Sequence, residues 1–451
     1  MKYEEMSIGE LLRQDGFECA CGKKHYAGVE QVYIEENAIL RLPEILKKLG
    51  VKKPFLLSDE NTWKAAGEKV ASALSGAGYA FSGFSFREAH VEPDERAVGL
   101  AAMKFDDSCD AVIGVGSGVI NDVGKLLAHL SGREYLIVAT APSMDGYASA
   151  TSSMALEGLK VSVNSRAPRV IVGDLSVLCQ APMHMIQSGV GDMLAKYVSV
   201  CEWRIAHALV GEYYCETVAA MVRRALKKCV DAAPGLPARD PQAVAAVMEG
   251  LVLGGMAMKY AGLSRPASGV EHYFSHIWDM RTLAFGATGD LHGIQCAIGT
   301  LLALHVYEQV KALAPDREKA LAHARAFDLD AWNAQLRGFI GPGAEAMIRG
   351  EQKEGKYDLK KHAARLEKII AGWPELLRIM DEELPSYASV QALLESLGAP
   401  TEPGQIGLTP EEVRKTFPMT KDIRDKYVVS RLLWDLGELD EVADRLFGAE
   451  K

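Results

Sequence analysis

The hydrophobic pattern of this chain changes near residue 180, and that change limits the folds that the chain can adopt. Before it, short apolar runs rich in β-branched residues alternate with segments of helical period. Such alternation predicts parallel strands joined by crossover helices. The stretch 154–163 instead predicts a hairpin that turns at Glu157 and Gly158. The predicted strands are 31–36, 54–59, 80–86, 111–116, 135–140 and 170–174, and the predicted helices between them include 38–49, 61–77 and 120–130.

After residue 180 the apolar residues recur almost entirely at helical spacing. The sequence therefore predicts an N-terminal α/β, Rossmann-like domain over 1–180 and an all-α domain over 181–451. Examples of the predicted C-terminal helices are 213–228, 241–258, 293–310, 359–379 and 409–436.

The composition excludes several classes of protein. Hydrophobic residues make up 48% and charged residues 24% of the 451, which is typical of a soluble globular protein. The net charge of −10 argues against a general nucleic-acid binder, because phosphate backbones attract basic surfaces. No signal peptide and no membrane span are expected from the polar N-terminus and the short apolar runs. The eight cysteines are scattered, which favours reduced thiols in a cytoplasmic protein.

A glycine-rich turn follows the predicted strand 111–116 and leads into a helix pattern, through Gly114, Gly116 and Gly118 to Asp122. Glycines let backbone N–H groups approach a pyrophosphate, and a helix start adds partial positive charge. The spacing matches neither the usual dinucleotide fingerprint, because position 119 is valine, nor a Walker A loop. On this segment alone, phosphate binding and a plain tight turn both stay open.

The loop after the next predicted strand is rich in polar groups. It carries hydroxyls at Thr140, Ser143 and Ser149 and the carboxylate of Asp145. In a parallel sheet this loop would lie beside the glycine turn, although an ordinary polar turn is the alternative. Asp59 ends an earlier predicted strand, where an acidic group can bind the adenosine ribose hydroxyls of a dinucleotide.

Three of the eleven histidines, His272, His276 and His292, fall within 21 positions. Because His272 and His276 are four residues apart, spacing alone allows both as metal ligands, or as a solvated or capping pair. Upstream, Asp192 follows glycines and is expected to open an apolar helix, as its N-cap or with its carboxylate in a cleft. One carboxylate and two imidazoles would leave coordination positions open, as a Lewis-acid catalyst requires.

Five segments of the chain, in order, resemble the sn-glycerol-1-phosphate dehydrogenase family, and most closely its bacterial branch. That family belongs to the dehydroquinate synthase-like and iron-containing alcohol dehydrogenase superfamily, whose fold the resemblance implies. The resemblance covers residues 30 to 310, with a weaker echo at 420–427. The segments are GVGSGVIND, TAPSMDGYAS, SGVGDMLAKYVSVCEW, SRPASGVEHYFSHIWDM and LHG.

The resemblance implies a role for each matching residue. Asp192, His272 and His292 would bind one divalent metal ion, and Asp192 would also face the substrate. His276 would contact the substrate and serve the proton relay, and Asp145 would contact the substrate. The residues that the resemblance implies in binding NAD or NADP are Gly118, Val119, Ile120, Asn121, Asp122, Thr140, Ala141, Pro142 and Ser143, with Ser149 nearby. The glycine turn and the strand end add Gly114, Gly116 and Asp59 as candidates for the same cofactor.

Lys196 and Arg265 are our candidates for binding a substrate phosphate, because of their charge and their position in the motifs. The reaction that the resemblance implies is the reduction of a small phosphorylated ketone, dihydroxyacetone phosphate, to sn-glycerol 1-phosphate with NADH or NADPH. The metal would polarise the carbonyl group, and zinc, nickel and iron all accept this ligand set. The resemblance also suggests a homodimer or larger homo-oligomer, without nucleic-acid or membrane partners.

Three other functions are compatible with the same residues. A glycerol or other polyol dehydrogenase would need no phosphate site. A dehydroquinate synthase-like lyase would regenerate its cofactor in each turnover. A catalytically silent binding protein would have no use for the intact set of candidate ligands.

Two parts of the chain fall outside the resemblance. Near the start, Cys19, Cys21 and His25 suggest a small metal or redox site. A complete zinc site needs four ligands, commonly with two residues between the cysteines, so this set falls short. We therefore expect a structural or unassigned role for it. The region 310–420 is longer than expected and leaves the substrate less certain than the cofactor class.

Overall fold

The computed structural model describes residues 2–13, 16–88, 91–157, 159–286 and 289–448. Its strands are β1 (Phe17–Glu18), β2 (Lys24–His25), β3 (Gln31–Glu35), β4 (Pro54–Asp59), β5 (Ser82–Phe86), β6 (Ala111–Gly116), β7 (Glu134–Ala139), β8 (Thr151–Leu156), β9 (Leu159–Asn164) and β10 (Val170–Asp174). The α-helices up to residue 261 are α1 (Ile8–Leu12), α2 (Leu42–Leu49), α3 (Glu60–Thr62), α4 (Glu68–Gly76), α5 (Glu95–Lys104), α6 (Gly118–Ser131), α7 (Leu175–Leu178), α8 (Met183–Val210), α9 (Glu216–Ala232) and α10 (Pro241–Ala261).

The later helices are α11 (Val270–Phe285), α12 (His292–Lys311), α13 (Arg317–Ala326), α14 (Leu329–Ile340), α15 (Ala344–Glu354), α16 (Leu359–Glu383), α17 (Tyr387–Ser396), α18 (Pro410–Met419), α19 (Val429–Leu436) and α20 (Leu439–Phe447). A π turn covers Trp63–Gly67. Short 3-10 turns cover Tyr3–Glu5, Ala38–Arg41, Asp145–Ala148, Ala233–Ala238, Gly341–Gly343, Pro403–Ile406 and Thr420–Asp422.

Six strands form one parallel sheet in the order β3-β10-β7-β6-β4-β5. Gly116 of β6 pairs with Ala139 of β7, and Leu57 of β4 pairs with Gly114, so these three strands end at one edge. From β4 the chain moves outward to β5 and returns on the other side of β4 to form β6. The direction of strand addition therefore reverses between β4 and β6, and open α/β sheets bind ligands at such a point.

The chain divides into two compact units. One contains Met1–Met193 and Glu216–Ser264, and the other contains Leu194–Cys215 and Arg265–Lys451. In the first unit the central strands are completely buried, as expected when helices cover both faces of a parallel sheet. Each buried Val, Ile or Leu side chain there contributes about 1.5–3 kcal/mol to folding. This core includes Ile45, Leu46, Val70, Leu74, Ile113, Val115, Leu136, Val138, Val170 and Val172.

The second unit is built from helices, with α11 packed along α12. Its main core is rich in aromatic side chains, which bury the largest apolar areas of any residue type. Phe274 stacks on Phe417 with their ring centroids 5.9 Å apart, and Trp278 packs beside Phe274. All three side chains are at most 2% exposed. The packing joins α11 to α18 although Phe274 and Phe417 are 143 positions apart in sequence.

A buried carboxylate in the second unit collects several hydrogen bonds. The side chain of Asp422 is fully buried and accepts from Trp332 Nε1 at 2.9 Å, from Lys421 Nζ at 3.0 Å and from Arg431 Nη2 at 2.9 Å. The Tyr357 hydroxyl donates to it as well. Because both of its oxygens are occupied by donors, this Asp422 hub satisfies the condition under which a buried charge is tolerated.

Most of the predicted elements are confirmed. The predicted strands 54–59, 111–116 and 170–174 have the observed bounds, and the other strands agree to within two residues. The predicted hairpin is β8 and β9, although Gly158 of its turn lies outside the described residues. The single predicted helix 409–436 was wrong, because α18 ends at Met419 and α19 begins only at Val429. The Asp422 hub lies in the interval between them.

The predicted position of Asp192 at the start of a helix was also wrong. The helix α8 begins at Met183, so Asp192 lies inside it. The glycines suggested a helix start, but Gly189 is needed for another reason. A Cβ atom on Gly189 would overlap the carbonyl oxygen of Pro142, so only glycine lets that loop lie so close to the helix.

The helix α10 (Pro241–Ala261) has the length and composition of a membrane span, and 72% of its most apolar window is buried in the structure. It packs on the 3-10 turn Asp145–Ala148 and on β3. A core helix of a soluble protein has the same properties, and the burial of α10 fits that assignment.

Candidate functional site

The glycine turn lies where α6 begins, at the sheet edge where the direction of strand addition reverses. The carbonyl of Ser117 accepts from Asn121 N at 2.9 Å, as in a normal first helical turn. The Ser117 side chain makes no capping hydrogen bond. The N–H groups of Gly118, Val119 and Ile120 therefore have no intrahelical acceptor, since the first turn of a helix offers none. Three such groups at a helix start suit a phosphate.

The three glycines of this turn serve different purposes. A Cβ atom on Gly114 would overlap the Tyr135 hydroxyl, and one on Gly116 would lie 2.5 Å from Cβ of Ile120. Packing alone therefore explains both residues. At Gly118 an added Cβ would meet only Cγ of Met144, at an ordinary 3.6 Å. Packing within the described residues does not require glycine there, whereas close approach of a ligand to the backbone would.

Two side chains of α6 hold the loop that follows β7. Asn121 donates from Nδ2 to the Gly146 carbonyl at 3.2 Å and accepts from the Tyr135 hydroxyl at 3.3 Å. Lys125 is fully buried and donates to the carbonyls of Gly146 at 3.2 Å and Thr151 at 2.6 Å. The loop is therefore fixed to the helix that begins at the glycine turn. Lys125 was not predicted as a site residue, because no local motif marks it.

The remaining predicted dinucleotide residues occupy this same edge or its loop. Thr140 N donates to the Gly116 carbonyl at 3.1 Å, and Asp122 pairs with Lys125 at 2.9 Å. The Ser149 hydroxyl is engaged locally with Thr151. The other members, Ala141, Pro142 and Ser143, form the buried first part of the loop.

Asp59 ends β4 and caps the next helix. Its Oδ1 accepts from the backbone N of Thr62 at 2.8 Å, and the Thr62 hydroxyl accepts from Asp59 N at 2.9 Å. The carboxylate is thereby fixed at the carboxyl edge of the sheet. Its predicted contact with a ribose stays a prediction.

Asp192 and Asp145 are linked in the first unit. The backbone N of Asp145 donates to Oδ2 of Asp192 at 2.8 Å, and Asp192 is completely buried. A hydrogen bond from a backbone N–H favours the charged form of a carboxylate. A buried carboxylate, held in place by the loop that carries Asp145, is suited to binding a cation.

In the second unit, His272 is oriented by its neighbour in sequence. Its Nδ1 lies 2.9 Å from Oε1 of Glu271, which is completely buried and also accepts from Gly269 N at 2.6 Å. Because a carboxylate accepts from Nδ1–H, the lone pair of the ring is on Nε2. Metal-binding histidines are commonly held in this way by a second carboxylate.

A chain of hydrogen bonds fixes the tautomer of His292. Gln295 Nε2 donates to the Asp290 carbonyl at 3.1 Å, so its Oε1 faces the Ser275 hydroxyl, 2.7 Å away. The Ser275 hydroxyl must donate to that oxygen. The serine oxygen then accepts from Nδ1 of His292 at 3.0 Å, and Nε2 keeps its lone pair.

These two histidines lie together with a third and with a cysteine. The ring centroids of His272 and His292 are 5.1 Å apart, and His276 lies 5.9 Å from His292 and 6.3 Å from His272. The ligand atoms of His272, His292 and Cys296 all lie within 4.8 Å of one another, close enough to share one metal ion. Burial alone would raise the pKa of Cys296, but the two histidines outweigh it and lower that pKa. Cys296 was not predicted as a site residue, although it lies four residues after His292 on α12.

A second buried carboxylate supports the start of α11. Glu202 accepts from the backbone N of Val270 at 2.9 Å and of Val429 at 2.8 Å, and from the Tyr307 hydroxyl at 3.2 Å. Burial and the nearby charge of Glu271 raise the pKa of Glu202 to about 8. Neither glutamate was predicted, although Glu271 directly precedes His272 and could have been recognised as its hydrogen-bond partner.

Both predicted phosphate-binding cations are buried in the second unit. Lys196 donates to the Ala267 carbonyl at 3.2 Å. Arg265 pairs through two nitrogens with the carboxylate of Glu212 and donates from Nη1 to the Tyr427 carbonyl at 3.0 Å. These bonds use three of the five N–H donors of the Arg265 guanidinium, and the residue is 1% exposed.

Comparison with known proteins identifies relatives of this chain. Residues 33–182 match the family model of iron-containing alcohol dehydrogenases. The chain is 33% identical over 296 residues to the glycerol-1-phosphate dehydrogenase (NAD(P)+) of Bacillus licheniformis, covering 65% of this chain and 74% of the relative. It is 34% identical to the enzyme of that name from Hyperthermus butylicus, and the match covers 62% of this chain and 78% of the relative. It is 29% identical to the enzyme of that name from Halalkalibacterium halodurans, and the match covers 89% of this chain and 92% of the relative.

Solved structures share the fold at lower identity. A glycerol dehydrogenase from Schizosaccharomyces pombe superposes with a TM-score of 0.55 at 19% identity, covering 92% of this chain and 90% of the other. A maleylacetate reductase from Agrobacterium tumefaciens superposes with a TM-score of 0.63 at 15% identity, covering 95% and 99%. With its parallel sheet, its helical C-terminal part and these relatives, the chain belongs to the glycerol-1-phosphate dehydrogenase family within the iron-containing alcohol dehydrogenase superfamily.

Proposed function

We propose that this protein is an NAD(P)-dependent oxidoreductase that interconverts dihydroxyacetone phosphate and sn-glycerol 1-phosphate. The observation that carries the proposal is the pair of imidazoles at His272 and His292, whose Nδ1 atoms are held by Glu271 and Ser275 and whose ring centroids lie 5.1 Å apart. The names of the relatives supply the substrate and the cofactor class.

His272 and His292 are the proposed metal ligands, with Asp192 as the third ligand that the family resemblance implies. The donor set fits a divalent cation of the zinc, nickel or iron class, because it combines neutral imidazole nitrogens with an anionic oxygen. When bound, such a metal ion polarises the substrate carbonyl and stabilises negative charge on its oxygen. Cys296 is close enough to join the set or to tune it.

His276 is the proposed proton donor for ketone reduction. It lies one helical turn after His272 on α11, with its ring 5.9 Å from that of His292. An imidazole titrates near neutral pH, so it can release a proton in one direction and accept it in the other. Asp145 is proposed to contact the substrate from the loop that its backbone bond to Asp192 holds.

The dinucleotide is proposed to bind along the edge formed by the ends of β4, β6 and β7. The N–H groups at the start of α6 would hold the pyrophosphate, and Asp59 would bind the adenosine ribose. The nicotinamide supplies or accepts the hydride. A 2′-phosphate would be repelled by Asp59, which favours NADH over NADPH.

Lys196 and Arg265 are proposed to bind the substrate phosphate, and the pairing of Arg265 with Glu212 holds its guanidinium in place. We also propose that the protein is cytoplasmic and forms a homo-oligomer.

The decisive assay compares substrates with and without phosphate. We expect metal-loaded protein to oxidise NADH with dihydroxyacetone phosphate, and to do so far more slowly with dihydroxyacetone. The product should be inert to an enzyme specific for sn-glycerol 3-phosphate. Equal or greater activity on dihydroxyacetone and glycerol would identify a polyol dehydrogenase instead, and consumption of substrate without net NADH oxidation would point to a lyase.

Two variants separate the proposed roles at the metal. His292→Ala should lose the metal ion bound at His272 and His292, and its activity with it. His276→Ala should keep its metal and lose most of its activity, since only the proton relay is removed. If His292→Ala kept its metal and its activity, the ligand assignment would be wrong.

A further inference from the structure

A small hairpin near the start of the chain brings together three metal-binding side chains. The strands β1 and β2 pair Phe17 with His25, and the turn between them carries Cys19 and Cys21. The ligand atoms of Cys19, Cys21 and His25 lie within 4.8 Å of one another. The turn is tight, with Cys19 N donating to the Lys23 carbonyl at 3.1 Å.

The imidazole of His25 is prepared to act as a ligand. Its Nδ1 lies 2.8 Å from the carbonyl oxygen of Tyr260, which can only accept, so Nδ1 carries the hydrogen. The lone pair of the ring is therefore on Nε2, the atom that faces the Cys21 thiol. His25 is 1% exposed, and burial lowers its pKa. This arrangement, with one nitrogen on a carbonyl and the other facing a thiol, is typical of zinc-binding histidines.

The distance from Cys21 to His25 fits a shared metal ion. Sγ of Cys21 lies 3.3 Å from Nε2 of His25. A tetrahedral zinc ion with usual bond lengths would separate a thiolate sulfur and an imidazole nitrogen by about 3.6 Å. Binding would thus require only a few tenths of an ångström of adjustment.

The surroundings of Cys19 suggest the fourth ligand, the one that the sequence analysis lacked. Its Sγ lies 3.5 Å from the hydroxyl of Thr217, in the first turn of α9. Cys215 precedes Thr217 by two residues, stands directly before α9 and is buried. A cysteine at that point of the chain can complete a set of three thiolates and one imidazole.

The hairpin is too small to be stable without an additional interaction. Each of its strands has only two residues, and isolated hairpins of this size are not stable in water. Its apolar support is Phe17, whose ring packs on His25 and on Tyr260 at centroid distances of 5.0 and 5.5 Å. Structural zinc sites stabilise small segments of this kind directly, because the ion binds only the folded form.

We propose that Cys19, Cys21 and His25, with Cys215 as the fourth ligand, bind one zinc ion in a closed structural site. The ligands fill all four positions, so the site does not take part in the redox reaction. The ion fastens the N-terminal hairpin to the start of α9, and the His25–Tyr260 hydrogen bond links it to α10.

The test uses the full-length chain and counts zinc by mass spectrometry. His272→Ala/His292→Ala removes the other candidate site, and in that background we expect one zinc ion per chain. Adding Cys21→Ser or His25→Ala should remove it, whereas His25→Cys should retain it, since cysteine supplies an equivalent ligand. Cys229→Ala is the matched control, because it removes a buried thiol of α9 and should leave the zinc in place.

A second measurement does not depend on variants of the hairpin. Cobalt substituted into the His272→Ala/His292→Ala protein should show sulfur-to-cobalt charge-transfer absorption and a tetrahedral d–d spectrum. Absence of that absorption would overturn the proposal, and so would unchanged zinc in folded Cys21→Ser. A disulfide joining Cys19 to Cys21 in protein isolated without oxygen would also contradict it, and would indicate a redox site instead.

Discussion

Glu271 and His272 are adjacent in sequence and are joined by a hydrogen bond between their side chains, from Nδ1 of the histidine to Oε1 of the glutamate at 2.9 Å. The carboxylate is completely buried, so the bond is shielded from water and the imidazole is fixed in one tautomer. This pair connects the start of α11 to the proposed metal ion.

Glu271→Ala should weaken metal binding by about 10- to 100-fold, the usual effect of removing such a partner. Glu271→Gln should have a smaller effect, because the amide oxygen can still accept from Nδ1. Competition with a chelator measures both affinities. Equal affinity of Glu271→Ala and the unmodified protein would show that the carboxylate does not orient the ligand.

Gly189→Ala should impair dinucleotide binding. The added methyl group would overlap the Pro142 carbonyl and push the predicted cofactor loop away from α8. We expect KM for NADH to rise about 10- to 100-fold, since displacements of about 1 Å have effects of that size. Gly372→Ala is the control. It lies inside α16 with open space around it and should stabilise the protein by up to about 1 kcal/mol without affecting KM.

Asp422→Ala should destabilise the second unit by about 3–5 kcal/mol, because it leaves Lys421 and Arg431 buried without their counter-charge. The thermal midpoint of unfolding measures the loss. Asp316→Ala, which removes only the exposed cap of α13, should cost about 1 kcal/mol. A similar loss from both variants would argue against a special role for the Asp422 hub.

Glu351 should make stability depend on pH. Burial, with the charge of Asp422 nearby, raises its pKa from 4.5 to about 7. Between pH 4.5 and 7 the folded state therefore holds a proton that the unfolded state has lost. This contribution is complete below pH 4.5 and disappears as the pH rises through 7.

Glu351→Gln should remove that loss and make the protein more stable than the original at pH 8, by roughly 2–3 kcal/mol. Urea unfolding at pH 5 and pH 8 measures the free energy of unfolding of the original protein and of Glu351→Gln. The control is Glu345→Gln on the same helix, whose carboxylate is exposed and pairs with Arg337. A pH dependence that persists unchanged in Glu351→Gln would assign it to another group.

Local pattern was sufficient for the sheet. The strands at 54–59, 111–116 and 170–174 are continuous apolar runs that end in glycine or aspartate, and their observed bounds match the prediction. The glycine turn and the clustering of His272, His276 and His292 were also visible in the sequence. These features depend on residues close together in the chain.

Features that depend on distant contacts were not predictable. Gly189 and its neighbours suggested a helix start, because nothing local reveals that the Pro142 loop lies against them. The bonds that fix His292 run through Ser275 and Gln295, which meet only when α11 packs along α12. Cys215 is 190 residues from the hairpin, so a scan for closely spaced ligands could not connect them.

The interleaved course of the two units has a consequence for synthesis on the ribosome. The first unit takes α9 and α10 from the segment Glu216–Ser264, so it cannot finish folding until the chain has grown past Ser264. Until then the sheet lacks α10, the helix that packs on β3. The segment Leu194–Cys215 can pack only later, when Arg265–Lys451 has been synthesised. Such nascent chains expose apolar surface over long stretches of translation, which makes them natural clients of chaperones that bind at the exit tunnel.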